Sequence, residues 1–280
     1  MDVIKIKDLF YEKLKMSYPM IEGDEYLIDV VSILSNINLD SIIIRTSPLN
    51  KTKIVSGYSI LRGFVKEKIE DIWGFLYKEA KSFTVDIESF DINDEATTLL
   101  RYLSTYTVSQ AAIIYRDFRT IITLRDILNL ILDYQISIDI KLEELVSSNL
   151  IVISQDSTIY EAIREMVSNK VRRLFIEKSG EYITDRIILG FLFSPYWLSK
   201  LRSSEESLLD SNIQRLPKKK PFIVEKEISV IDAAKVLLTN DIIFYKGLGI
   251  ITPYDLTAKP FIMNKFKFVE KKKDFEILQT

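Results

Sequence analysis

The sequence predicts an α/β protein made from one strand-helix-strand-strand-helix unit used four times. Three observations predict it. The first is a short apolar strand that ends at a hydroxyl, with a carboxylate three residues further on. It is clearest at Gly249-Ile250-Ile251-Thr252-Pro253-Tyr254-Asp255 and weaker at Thr120-Ile121-Ile122-Thr123-Leu124-Arg125-Asp126. Degenerate copies stand at Ser56-Gly57-Tyr58-Ser59 and at Phe191-Leu192-Phe193-Ser194-Pro195-Tyr196-Trp197. The hydroxyls Ser56, Thr123, Ser194 and Thr252 recur roughly every 60–70 residues, the mark of a repeat architecture.

The second observation is the opening of each unit. Thr158-Ile159-Tyr160-Glu161 and Ser229-Val230-Ile231-Asp232 read as capping boxes, with a hydroxyl at the N-cap and an acid three residues on. Tyr26-Leu27-Ile28-Asp29 keeps the acid but lacks the hydroxyl, and Asp91-Ile92-Asn93-Asp94 offers an aspartate as cap. The third is the apolar run after each helix: Ile42 to Ile44, Ala112 to Tyr115, Leu174 to Ile176 and Ile242 to Tyr245. Runs of that length, bounded by polar or glycine-bearing turns, read as buried strands. A hairpin, tightest at Lys246-Gly247, then leads into the strand that ends at the hydroxyl.

Composition narrows the function. The chain has 280 residues, 47% hydrophobic and 28% charged, with a net charge of −2. That is a globular composition. No apolar stretch approaches the ~20 residues that span a bilayer, and the charge-interrupted start is unlike a secretory signal. The expected compartment is the cytoplasm, with no membrane partner. There is no histidine and no cysteine, which removes thiol nucleophiles, disulfides, thiolate zinc sites and histidine bases. No glycine-rich phosphate loop occurs. No catalytic residue, metal site or catalytic cofactor is assigned, and the expected protein is not an enzyme.

Read as local chemistry, Thr252 and Asp255 form a helix cap, with Pro253 at the first helical position. The same helix start leaves backbone N–H groups that attract phosphate. With these motifs in register, the chain resembles the cystathionine-β-synthase (CBS) domain family. The resemblance rests chiefly on Gly249 to Asp255 and on Ser157 to Ile176, where Val171-Arg172-Arg173-Leu174-Phe175-Ile176 looks like the family's second strand. It implies four repeats at 1–66, 67–134, 135–202 and 203–265, with a C-terminal tail at 266–280. Repeats 1 and 2 would pair through apolar sheet faces around a pseudo-two-fold axis, and repeats 3 and 4 likewise. The modules would pack as a disc within one chain or pair in a homodimer.

The resemblance also implies a use for the caps. In the family these positions hold adenosine compounds: the carboxylate takes the ribose hydroxyls and the threonine reaches the phosphate. The implied nucleotide-binding residues are Thr252, Asp255 and Gly249 in repeat 4, and Thr123, Asp126 and Arg125 in repeat 2. Arg125 would supply positive charge near a phosphate or face solvent. Repeats 1 and 3 carry Ser59 and Trp197 at the acid position and are expected to be spent, with Trp197 filling its pocket. The ligand would be AMP, ADP, ATP or S-adenosylmethionine, and the output a changed association with a protein partner. The alternative is a scaffold with decayed sites. Nucleic-acid binding through Lys218-Lys219-Lys220 and Lys271-Lys272-Lys273 ranks third, because the net charge is negative and neither run is interleaved with aromatics.

Overall fold

A computed structural model describes residues 3–16, 18–37, 39–45, 51–67, 72–105, 109–116, 118–133, 135–201 and 208–269. Copy 1 has a leading helix α1 (Ile6–Leu14), then β1 (Met20–Glu22), α2 (Leu27–Ile37), β2 (Ser41–Arg45), β3 (Thr52–Ser56) and α3 (Gly57–Glu67). Copy 2 leads with α4 (Ile72–Leu76), a 3₁₀ turn at Ala80–Phe83 and β4 (Val85–Ile87). It continues with β5 (Ser89–Asp91), α5 (Ala96–Leu103), β6 (Gln110–Tyr115), β7 (Phe118–Thr123) and α6 (Leu124–Leu132). Copy 3 leads with β8 (Ile136–Ile138) and a 3₁₀ turn at Leu142–Leu145. Then come β9 (Val152–Ile153), α7 (Ile159–Ser168), β10 (Arg173–Ile176), β11 (Tyr182–Thr184), α8 (Asp185–Leu192) and α9 (Pro195–Leu201). Copy 4 leads with 3₁₀ turns at Leu208–Asp210 and Ile213–Arg215. It contains β12 (Phe222–Val224), α10 (Val230–Thr239), β13 (Ile243–Tyr245), β14 (Gly249–Ile251) and α11 (Pro253–Ile262), and β15 (Phe266–Phe268) follows.

The repeated unit is therefore the one expected. In copies 1, 3 and 4 the first strand runs parallel to the second, and the second antiparallel to the third. The apolar runs are the middle strands, and Ile42, Ile43 and Ile44 are fully buried, as a strand covered on both faces requires. Both hydroxyls cap their helices: Thr158 accepts from the Glu161 amide at 3.1 Å and Ser229 from the Asp232 amide at 3.0 Å, and at Thr158 the box is completed by the Thr158 amide donating to Glu161 at 2.8 Å. The tail adds β15, which pairs antiparallel with β8.

Two local expectations are corrected. Asp91 is not a helix cap: α5 begins at Ala96, and Asp91 instead closes a turn by accepting from the Asn93 amide at 2.8 Å. In copy 3 the strand-ending hydroxyl is Thr184, not Ser194. β11 ends at Thr184, whose hydroxyl accepts from the Ile187 amide at 3.2 Å. Ser194 instead precedes the added helix α9, and Trp197 packs against Phe191 at 4.8 Å between ring centroids. The reason is turn chemistry. Lys178 and Gly180 both adopt positive φ and make the hairpin that Lys246 and Gly247 make in copy 4, so the copy 3 strand ends earlier than its apolar run suggests.

The chain forms two compact units. Unit 1 comprises Met1–Met16, Phe90–Ser148 and Phe222–Thr280, and unit 2 comprises Ser17–Ser89 and Asn149–Pro221. Each unit holds two copies plus the leading segments of the other two. The leader of copy 1 lies on copy 2, with the Ile6 amide donating to the Asp94 carbonyl at 3.0 Å. The leader of copy 2 lies on copy 1, where β4 joins β3. Ser147, from the leader of copy 3, exchanges two backbone hydrogen bonds with Ile250 of copy 4, at 2.8 and 2.9 Å. Lys219, from the leader of copy 4, does the same with Tyr182 of copy 3, at 2.8 and 3.0 Å. Leaders are thus exchanged between sequence neighbours, one with two and three with four.

Within each unit the copies meet through helices, copy 2 with copy 4 and copy 1 with copy 3. The tandem reading did not contain this contact. In unit 1, α6 packs on α10 and α11, burying Ile127, Leu128, Ala233, Ala234, Leu237 and Leu256. In unit 2, α3 packs on α7 and α8, burying Ile60, Phe64, Ile163, Met166 and Ile188. One position, the second residue of each copy's last helix (α3, α6, α8 or α11), ties the copies in all four cases. Arg125 pairs with Asp241 at 2.7 Å and Arg186 with Asp40 at 2.5 Å. The Tyr254 hydroxyl donates to the Ser104 carbonyl at 3.2 Å, and that of Tyr58 to the Val167 carbonyl at 3.4 Å.

Asp40 and the buried Asp185 also share Arg172, at 3.2 and 2.7 Å. Burial opposes the charge on Arg172, but the two carboxylates outweigh it and hold the guanidinium above its ordinary range. Arg172→Met would leave Asp185 without its cation. It should cost about 2–3 kcal/mol by urea unfolding, and an unchanged midpoint would show that the network contributes no stability. Gly249 has φ +152, and a Cβ there would stand 2.5 Å from the Ser147 carbonyl oxygen. Gly249→Ala should therefore lower unfolding free energy by about 1–3 kcal/mol by pushing the copy 3 leader off β14, with raised hydrogen exchange at the Ile250 amide as the second readout.

Candidate ligand site

Each copy ends its last strand at a helix start, where the first backbone N–H groups lack helical partners. In copy 4, Thr252 and Asp255 close this end as a complete capping box. Asp255 Oδ2 accepts from the Thr252 amide at 2.8 Å and from the Thr252 hydroxyl at 2.7 Å. Asp255 Oδ1 accepts from the Ser147 hydroxyl at 2.7 Å and is ion-paired with Lys259 at 2.7 Å. Lys259 Nζ also donates to the Leu145 carbonyl and the Ser147 hydroxyl, both at 2.8 Å. Asp255 is only 3% exposed, so the charge is buried, neutralised by one lysine and bonded at both oxygens.

Copy 2 repeats the arrangement with different donors. Asp126 Oδ2 accepts from the Thr123 amide at 2.7 Å and the Thr123 hydroxyl at 2.8 Å. Its Oδ1 is paired with Lys13 at 2.5 Å, a residue of the leading helix α1. Arg125 lies beside them, but its guanidinium is committed to Asp241. In both copies the leader of another copy reaches the outer carboxylate oxygen: Lys13 in copy 2, Ser147 in copy 4.

The other two ends lack this acid. In copy 1, Ser56 and Ser59 cap each other: the Ser56 amide donates to Ser59 Oγ at 2.9 Å and the Ser59 amide to Ser56 Oγ at 3.2 Å. In copy 3 the residue three after Thr184 is Ile187, and the acid sits at the first helical position instead, as Asp185 bound to Arg172.

The structure thus brings together Thr252, Asp255 and Gly249, and separately Thr123 and Asp126, as the sequence places them. It turns Arg125 toward another copy. The sequence reading missed Lys259, Lys13 and Ser147. The Asp255–Lys259 spacing of one helical turn was a readable signal; Lys13 and Ser147 come from remote segments and gave none. Lys218 donates to the Gln214 carbonyl at 3.0 Å, while Lys271 to Lys273 lie outside the described residues. Among the described residues no cluster of acidic side chains could hold a metal ion, and no helix is long and apolar enough to cross a membrane.

Residues 142–192 match the model of the CBS domain family. The match runs from the leading 3₁₀ turn of copy 3 to the end of α8 and stops before α9. No curated protein matches the chain in sequence. Among solved structures, a Methanocaldococcus jannaschii protein, a proposed archaeal homolog of g-AMPK, is 17% identical. The alignment covers 87% of this chain and 96% of that one, with a TM-score of 0.74. An uncharacterized conserved protein from Pyrococcus horikoshii is 13% identical over 88% and 96% of the two chains, with a TM-score of 0.48. A CBS domain protein from Pyrobaculum aerophilum complexed with AMP is 15% identical over 44% and 89%, with a TM-score of 0.34. At such identities the first of these is a likeness of fold over nearly the whole of both chains. Residues 142–192 of copy 3 are thus similar in sequence to the CBS domain, and the other three copies repeat the same unit in the same order.

Proposed function

We propose that the chain is a regulatory protein that binds an adenosine-containing ligand at the Thr252–Asp255 and Thr123–Asp126 ends and signals through altered protein association, without chemistry of its own. The observation that carries this reading is the shared geometry of those two ends. In each, a carboxylate stands one turn into a helix, with one oxygen fixed by a threonine and the other held only by side chains that a sugar hydroxyl can replace. The fold-level likeness to the proposed homolog of g-AMPK supports a regulatory role. AMP, ADP, ATP and S-adenosylmethionine all carry the ribose the site is suited to, and the fold does not choose among them. Phe222 and Ile223, neighbours on β12, are more than 40% exposed, which supports an association surface there. The cytoplasm is the compartment this reading expects.

A second reading has its own observation. Asp255 is buried and fully bonded within the protein, as in a scaffold whose site serves packing alone.

Asp255→Ala separates the two. It should weaken adenine-nucleotide binding by about tenfold or more at the copy 4 site, the loss of one charge-assisted bond. Thermal stability falls in either reading, since Lys259 and Ser147 lose their acceptor, so the calorimetric affinity decides. Equal affinities in the two proteins would favour the scaffold.

Stoichiometry is the second test. Each chain should take up at most two nucleotides, because Ser59 and Ile187 supply no anionic acceptor at the position of the acid. Asp126→Ala combined with Asp255→Ala should abolish uptake, while each single variant keeps about one equivalent. Three or more bound per chain would mean that copies 1 and 3 bind by other groups.

A further inference from the structure

Gln110 is the first residue of β6, and the ladder sets it directly opposite Thr123. Directly opposed residues of an antiparallel pair project on the same face as close neighbours. Gln110 therefore stands beside the Thr123–Asp126 cap. It is 6% exposed, and its Oε1 is buried with no hydrogen-bond partner among the described residues. A buried amide oxygen left unbonded is unfavourable and calls for an explanation.

The other copies resolve the same position differently. In copy 1 it is Ser41, opposite Ser56, with the Tyr18 hydroxyl 3.5 Å from its own. In copy 3 it is Arg173, opposite Thr184, and Arg173 has an interaction of its own. In copy 4 the residue before β13 is the buried, apolar Ile242. The unbonded amide thus stands in a copy that also keeps the Thr-x-x-Asp pair.

The chemistry around it specifies what it faces. The Thr123 hydroxyl spends its proton on Asp126, so its oxygen can only accept. Asp126 is neutralised by Lys13, and Arg125 is paired with Asp241. The charges are balanced and the uncommitted groups are acceptors, so the matching group is a neutral hydrogen-bond donor. A sugar diol offers two such donors side by side.

We propose that Gln110 is a ligand-binding residue of the copy 2 site, its amide oxygen accepting one hydroxyl of a ribose diol whose other hydroxyl reaches Asp126. This rests on the nucleotide reading above and adds the residue that completes diol recognition, since Asp126 has one oxygen already fixed by Thr123.

The test is calorimetry on the full chain carrying Asp255→Ala, so that copy 2 alone reports, with and without Gln110→Leu. The ligands are AMP and its 2′-deoxy and 3′-deoxy analogues. With Gln110 present, each analogue should bind more weakly than AMP. Gln110→Leu should weaken AMP by about three- to tenfold and leave one deoxy analogue unaffected, because that analogue lacks the hydroxyl Gln110 would hold. Thermal stability without ligand should be unchanged or raised, since a hydrocarbon replaces an unbonded carbonyl. If Gln110→Leu binds AMP as tightly as before, or weakens AMP and both analogues alike, the proposal fails while the nucleotide reading stands. A drop in stability without ligand would also overturn it, by showing that the amide is held by the fold. If AMP does not bind, or binds regardless of Asp126→Ala, the nucleotide reading fails and this inference fails with it.

Discussion

The exchange of leading segments is the constraint on which the rest of the fold depends. A three-stranded sheet with two helices is too small to bury its own edges, and each copy solves this with a piece of its neighbour. Ser147 completes the edge of β14, Lys219 that of β11, and β4 that of β3. Each exchanged segment satisfies backbone groups that would otherwise be left at a sheet edge. Because the segments cross between copies, no copy has a complete surface alone. The helical contacts then join copies two apart, so every copy is tied to one neighbour by backbone exchange and to another by helix packing.

The polar design follows from that arrangement. The second residue of each last helix serves as a tie between copies, as arginine in two cases and tyrosine in two. That position lies between the cap hydroxyl and the residue three after it, so the local motif and the long-range tie share one turn of helix. Arg125 shows the consequence. Its neighbours in sequence suggest an anion site, yet its partner is Asp241, more than a hundred residues away in the chain. A charged residue at a helix start is claimed by whichever opposite charge the tertiary fold brings nearest.

Much of this was legible in the sequence because it is local. The middle strands were apolar runs, the caps at Thr158 and Ser229 were hydroxyl-acid pairs, and the Thr252–Asp255 and Thr123–Asp126 boxes sit where their spacing puts them. Copy 3 was misaligned because two signals competed. Phe191 to Ser194 resembles a strand ending in a hydroxyl, but it is the buried end of α8 and the turn into α9. The true strand, Tyr182 to Thr184, was marked by the quieter turn at Lys178 to Gly180. Leader exchange left no local trace. Gly249 came closest, since its demand for φ +152 and close backbone approach is set by Ser147, a residue of another copy.

The same exchange decides how a bound molecule could be felt at a distance. Thr123 and Thr252 hold their acids from within the copy, through bonds that also cap the helix. The outer oxygens are held by Lys13 and by Ser147 with Lys259. A hydroxyl that takes an inner oxygen must unmake a cap worth about 1 kcal/mol, whereas one that takes an outer oxygen need displace only a lysine or serine side chain. The outer route is the less costly one, and in both copies it touches a leader. Occupying Asp126 releases a contact of α1, which begins copy 1; occupying Asp255 releases Ser147, which begins copy 3. In both copies the group most easily displaced from the acid thus belongs to, or is bonded to, a leading segment. The regulatory reading proposed above would therefore run first through these leading segments, at Lys13 and Ser147.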